Sequence, residues 1–206
     1  MDAFDLMNVV GLVAFAMVGS LKAADAELDL FGVTVLGVLT ALGGGTMRDT
    51  LVGRTPASLQ SISDMSVAFV GVALAVVLSR RISGRLRDHP AILLPDAVGL
   101  AAFAATGALV GTQAGLSPYG VVILATLTAV GGGSLADLLL NRVPVVLQED
   151  FYATPALLGG VVFWLVTQLS VAVDTAALVC AGFVLSVRVL ALRYEWELPR
   201  VSGTHE

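Results

Sequence analysis

The chain has 206 residues, 57% of them hydrophobic and 13% charged, with a formal net charge of −5. A water-soluble domain carries roughly 25% charged and 45–50% apolar residues, so the surplus apolar surface has to face lipid, in keeping with a mean hydropathy of +0.91. The acidic balance argues against a nucleic-acid partner.

Taken in chain order, apolar runs over 6–21, 30–47, 65–79, 91–111, 118–140, 152–173 and 175–192 predict an all-α membrane protein with seven transmembrane helices. Crossing a hydrocarbon core of about 30 Å takes about 20 helical residues, and seven such spans leave no length for a soluble domain. Asp2 and Asp5 precede the first run where a signal peptide would carry basic residues, so that run reads as a span. Cys180 stands alone inside the last run and reads as a small packed hydrophobe. His89 falls in a basic loop and His205 in the tail, too far apart to suggest a metal site. No cofactor is expected. No Ser/His/Asp or metal constellation lies at matching depth in the spans, so the chain does not read as an enzyme.

The strongest signal is an internal repeat. Sliding the chain by 88 residues aligns 11–56 with 99–144 without a gap, and 22 of the 46 aligned positions are identical. GLVAFAMVGSL matches GLAAFAATGAL, and TALGGGTMRDTLVGRTP matches TAVGGGSLADLLLNRVP. The same offset carries Gly71 onto Gly159, so each copy holds three spans. An odd number of crossings makes the second copy enter from the opposite face, which predicts two inverted three-helix repeats plus a seventh helix. The expected units are a first repeat over 1–81, a basic linker over 82–90, a second repeat over 91–173, a seventh span over 174–193 and a tail over 194–206.

The linker carries Arg80, Arg81, Arg85 and Arg87, which places it on the cytoplasmic side by the positive-inside rule. The N-terminus is then expected outside and the C-terminus inside, where Arg188, Arg193 and Arg200 agree; Lys22 marks the first inner loop, and Arg54 on the outer side is a counter-signal. The same arginines offer a place for anionic lipid head groups, beside their plainer role as a topology signal.

Gly43, Gly44 and Gly45 fall in the second span, and Gly131, Gly132 and Gly133 in the fifth. Each glycine costs a helix interior about 1 kcal/mol relative to alanine, so the triplets predict points where the helices kink or unwind and free backbone groups. Such breaks are tolerated in a membrane where they line a cavity, and matched breaks in inverted repeats point to a permeation or binding site. The competing account is close helix packing by small residues, which Gly107, Gly111 and Gly115 fit. Thr46, Arg48 and Asp49 follow the first triplet, and Ser134 and Asp137 the second. Asp49 and Asp137 should sit on opposite sides of the kinks, either beside a pore or as structural caps. Arg48 is expected to reach Asp137, another helix or a pore wall, because neighbours along a helix do not face one another. Arg54 and Arg142 recur two residues before Pro56 and Pro144 and read as interface anchors. Asp64 and Asp96 are expected at helix starts, and Asp174 in the turn before the seventh helix.

With GGGTMRD and GGGSLAD on the second helices of two inverted repeats, the chain resembles the prokaryotic TRIC (trimeric intracellular cation) channels, also catalogued under a "glycine transporter" label. The resemblance covers about residues 6–192. It implies a homotrimer in the cell membrane, with a potassium- or sodium-permeable pore in each protomer between the glycine-rich second and fifth helices. On this chain it implies hinges at Gly43–Gly45 and Gly131–Gly133, with Arg48, Asp49 and Asp137 beside the pore. One departure is plain: Ala136 stands where the first copy has Arg48. A secondary transporter of a small zwitterion such as glycine is the alternative, because inverted repeats with broken helices are equally its signature, and a non-conducting structural protein is a further reading.

Overall fold

The computed structural model describes residues 2–60, 62–80, 82, 89–148 and 151–196. Seven longer helices follow in order: α1 (Ala3–Asp25), α2 (Leu30–Leu51), α3 (Ile62–Ser79), α4 (Pro90–Gln113), α5 (Pro118–Leu139), α6 (Thr154–Thr167) and α7 (Val173–Tyr194). A one-turn helix, Ala57–Gln60, follows α2, and a 3-10 turn, Val145–Leu147, follows α5 at the matching place in the second repeat. All but α6 are long and apolar enough to cross a membrane. Of the seven spans expected, six are matched by helices of that length and composition among the described residues, and the sixth in order, α6, is a shorter apolar helix. The run over 152–173 is partly spent on turns: Tyr152 folds inward in the bend before α6, and Ser170 takes a left-handed backbone (φ 58°) after it. The helix left between them has 14 residues, about 21 Å at helical rise.

The repeat is written into the helix ends. Asp29 accepts a hydrogen bond from the Gly32 amide at 2.8 Å to start α2, and Ser117 accepts from Gly120 at 3.2 Å to start α5. Such caps contribute about 1 kcal/mol each. Left-handed turn residues also recur at the offset, Glu27 with Gly115 and Gly53 with Asn141. Gly115 therefore serves a turn, whereas Gly107 does pack closely, its missing side chain leaving room for Thr128 and Leu124. Asp64 lies in the first turn of α3 as expected, but Asp96 is a turn and a half into α4, and His89 caps that helix instead, its Nδ1 accepting from the Ala91 amide at 3.1 Å. Asp174 is in the first turn of α7.

Around the centre the two halves contact each other reciprocally. The Phe15 and Phe103 rings meet edge to face at 5.2 Å, each against the glycine (Gly99, Gly11) that stands four residues before the other. The halves part company at α7. Gly71 on α3 lies against Ala16 and Val13 of α1, but Gly159 on α6 lies against Val184 and Cys180 of α7. The seventh helix thus takes the place beside α6 that α1 takes beside α3. Cys180 is fully buried there, packed as a small hydrophobe.

Candidate functional site

The site begins where α2 crosses α5. Both are helical throughout, so the expected unwinding at the glycine triplets is not seen. The glycines serve a close crossing instead. A side chain at Gly44 would run into the Thr128 carbonyl and one at Gly132 into the Thr40 carbonyl, while one at Gly43 would come within 3.3 Å of the Gly132 Cα. The absence of side chains at Gly43, Gly44, Gly131 and Gly132 lets the two backbones touch, which is how small residues stabilise helix pairs in a membrane. Gly45 and Gly133 lie at the margins: their nearest neighbours would be Arg48 Nη2 at 3.7 Å and the Tyr152 hydroxyl at 3.2 Å.

Polar clefts lie at both ends of this crossing. At one end Arg48 is paired with its neighbour Asp49, Nε to Oδ1 at 2.8 Å and Nη2 to Oδ1 at 2.8 Å, rather than with Asp137. The long guanidinium side chain folds back over the helix end, which the rule for helix neighbours does not forbid. The Phe4 ring lies 5.3 Å from the guanidinium carbon. Arg48 is 3% exposed, and its Nη1 is buried without a hydrogen-bond partner among the described residues. Asp49 Oδ2 accepts from the Ala57 amide at 3.0 Å and so starts the one-turn helix.

The other end repeats the plan with a different cation. Asp137 Oδ2 accepts from the Val145 amide at 2.9 Å, as Asp49 does from Ala57. Its Oδ1 takes a hydrogen bond from Lys22 Nζ at 2.7 Å. Lys22 is not a loop marker: it lies on the last turn of α1 with its side chain 11% exposed. Arg142 adds an ion pair to Asp25 at 3.6 Å, where Arg54 is exposed and has no carboxylate partner among the described residues. Each aspartate caps the turn that follows it and lines a cleft.

Deeper in, Asn8 donates to Asp64 Oδ1 at 3.1 Å at the first end, and Tyr152 donates to Asp96 Oδ1 at 3.0 Å at the second. The positions correspond through the repeat, with donor and acceptor exchanged. Asn8, Thr46, Ser58 and Asp64 border a polar cavity of about 10 Å³, about the space of one water. Thr46 and Ser58 share a hydrogen bond of 3.3 Å, whereas Ser134 donates back to the Val130 carbonyl of its own helix at 2.8 Å. At the second end Arg188 of α7 donates to the Phe151 carbonyl at 3.0 Å and lies 4.8 Å over the Tyr152 ring. The two ends differ in room: the cleft at Arg48, Asp49 and Arg54 holds about 510 Å³ for water, and that at Lys22, Asp137 and Arg142 about 40 Å³.

Of the residues singled out in the sequence, the structure gathers Thr46, Arg48 and Asp49 at one end and Asp137 at the other. Arg80 is exposed after α3, while Arg81, Arg85, Arg87, Arg200 and His205 lie outside the described residues. Sequence reasoning missed Lys22, Asn8, Tyr152 and the inward placement of Arg188. The available signal was the repeat itself: Asn8 falls opposite Asp96, and Asp64 opposite Tyr152, at the same offset of 88.

Comparison with known proteins fits this architecture. A family model described as "Glycine transporter" matches twice, over residues 5–80 and 93–168. The UPF0126 inner membrane protein YadS of Escherichia coli is 36% identical over 197 residues, covering 94% of this chain and 93% of that protein. A solved structure described as the basis for conductance through TRIC cation channels superposes with a TM-score of 0.88 at 39% identity, over 98% of this chain and 99% of that one. The TRIC trimeric intracellular cation channel orthologue from Rhodobacter sphaeroides gives 0.86 at 30% identity, over 94% and 98%. By sequence and by fold alike, the chain belongs to the UPF0126 membrane proteins, the family of the glycine-transporter model that includes the prokaryotic TRIC channels.

Proposed function

We propose that this multi-pass membrane protein is a monovalent cation channel, permeable to potassium, whose path in each protomer of a homotrimer runs between α2 and α5. The observation that carries the reading is the pair of polar clefts at opposite ends of one glycine-lined crossing. Asp49 and Asp137 bring a carboxylate to each end, and buried ionisable groups at such depth mark ion pathways. Gly43–Gly45 and Gly131–Gly133 are the hinge in this reading. With backbone against backbone at Gly44 and Gly132, a small slide of α2 against α5 separates the helices there and opens a route past Thr46 and Ser134. The channel titles of the solved relatives support the same class of activity. In this reading the N-terminus is outside and the basic linker, with Arg80, faces the cytoplasm and anionic lipid.

The test is the purified protein in a planar bilayer under a potassium chloride gradient. A reversal potential near the potassium equilibrium value is expected, with sodium carrying current less well. Absence of current, or a reversal potential at the chloride value, overturns the reading.

One observation favours a second reading, transport of a zwitterion such as glycine: Arg48 Nη1, which has no hydrogen-bond partner among the described residues and belongs to a residue lining the larger cleft, is a donor for a carboxylate. Saturable counterflow of labelled glycine in vesicles that pass no current would establish it.

A further inference from the structure

Through the inverted repeat, positions at one end of the crossing have counterparts at the other, 88 residues apart. At the narrow end, Lys22 and Asp25 on the last turn of α1 form ion pairs with Asp137 and Arg142 at the end of α5, at 2.7 and 3.6 Å. At the wide end the aspartate and arginine are kept as Asp49 and Arg54, but α4 offers Val110 and Gln113 at the positions of Lys22 and Asp25. Both of these neutral residues line the wide cleft. Asp49 is neutralised by Arg48 from its own helix, so that pair ties no two helices together. At the narrow end the counterpart of Arg48 is Ala136, and neutralisation has to come from α1.

From this we infer that the two ion pairs between α1 and α5 are a strap that holds the narrow mouth shut, and that its release is the gating step; the inference rests on the conduction reading. The wide mouth, which lacks the strap, has about 510 Å³ of room, and the narrow mouth, lined by the strap together with Tyr152 and Arg188, about 40 Å³. Lys22 and Asp25 are one helical turn apart, so both pairs pull the end of α1 onto the end of α5 together. Lys22–Asp137 is the buried member, with side chains 11% and 4% exposed, and little screened by salt; Arg142–Asp25 is at the rim, 35% and 20% exposed, where salt and solvent weaken it. Opening then proceeds from the rim inward.

The experiment uses the full chain and two readouts. K22V/D25Q gives the narrow mouth the residues of the wide one, and I92C, at a residue that lines the narrow cleft and is 4% exposed, reports access to a water-soluble thiol reagent. Cys180 is buried and serves as the silent background. Relative to wild type, K22V/D25Q is expected to raise both the labelling rate and the open probability about tenfold, the shift expected on losing an interaction worth one decade of equilibrium constant. D25R, which sets two arginines against each other, should also raise both, and the exchange D25R/R142D should bring both back toward wild type. This exchange is at the exposed pair and keeps the variants folded if the buried pair is not tolerated to change. Unchanged labelling and open probability in K22V/D25Q and D25R overturns the strap. No current from wild type or any variant, with labelling still responding, overturns the conduction reading while leaving the strap as what closes this cleft.

Discussion

The Tyr152 hydroxyl donates to the Asp96 carboxylate across 3.0 Å, inside a contact where both residues are 5% exposed or less. One repeat earlier the same two backbone positions hold Asp64 and Asn8, with the acid now on the other side of the bond. The contact has been kept while its chemistry was turned round. What the fold needs at these positions is a hydrogen bond from the first helix of a repeat to the start of its third, not a particular residue.

Removing the donor should therefore cost stability at both ends. Tyr152→Phe keeps the ring under Arg188 and loses only the hydroxyl, with an expected loss of about 1–2 kcal/mol, as for a buried hydrogen bond to a charged group. Asn8→Ala at the partly buried counterpart should lose less. Thermal unfolding of the purified protein in detergent checks both, and an unshifted midpoint for Tyr152→Phe would show that the bond contributes nothing.

Within each glycine triplet the members are not equivalent. Gly44→Ala and Gly132→Ala place a methyl against the Thr128 and Thr40 carbonyls, which belong to backbone and cannot turn away. Overpacking of this kind costs about 1–3 kcal/mol, and here it also forces α2 and α5 apart. Gly45→Ala meets only the end of the Arg48 side chain at 3.7 Å and gains helix propensity of about 1 kcal/mol. The order of unfolding midpoints should be Gly45→Ala at or above wild type, with Gly44→Ala and Gly132→Ala well below it.

The two aspartates should respond differently to losing their charge. Asp137→Asn leaves Lys22 nearly buried beside a neutral amide, and breaking such a pair from one side costs about 3 kcal/mol. Adding Lys22→Met should recover most of it, since the orphaned charge goes too. A double-mutant cycle on unfolding measures the coupling, and a coupling near zero would mean that Lys22 finds another partner or water.

Asp49→Asn is the matching test at the wide end, where the partner Arg48 already has a spare donor at Nη1. Stability should fall, and in a conducting channel the potassium-to-chloride permeability ratio should fall with it, because a carboxylate near the wide cleft is replaced by a dipole. An unchanged ratio would leave Asp49 as a cap for Ala57 alone.

Much of this was legible in the chain. The offset of 88 residues that aligns the two GGG motifs is also the one that relates the caps Asp29 and Ser117, the left-handed turns, and the two rings of the Phe15–Phe103 contact in the structure. What sequence could not supply was the partner of Asp137. A lysine at the end of an apolar run, as Lys22 is, normally extends its amine to the interface, and nothing local distinguishes one that turns inward toward a helix 115 residues away. The missing arginine at Ala136 was the one pointer, since it left a conserved acid of the repeat without its basic neighbour. The glycine triplets misled for a related reason. Helix propensity describes an isolated segment, and here each triplet is supported by the backbone of the other. The length of α6 was misjudged because inward-folded Tyr152 is as apolar, by composition, as a residue of the span.

The seventh helix packs mainly on the second half, with Arg188 reaching the Tyr152 ring and Val184 filling the space at Gly159. Duplication alone would yield a molecule that looks alike from either face of the bilayer. This buttress removes that equivalence: Gly159 on α6 packs against α7 where Gly71 on α3 packs against α1. In a conducting protein the asymmetry should appear as unequal currents at equal and opposite voltages, and symmetric currents would show that the brace has no bearing on flow.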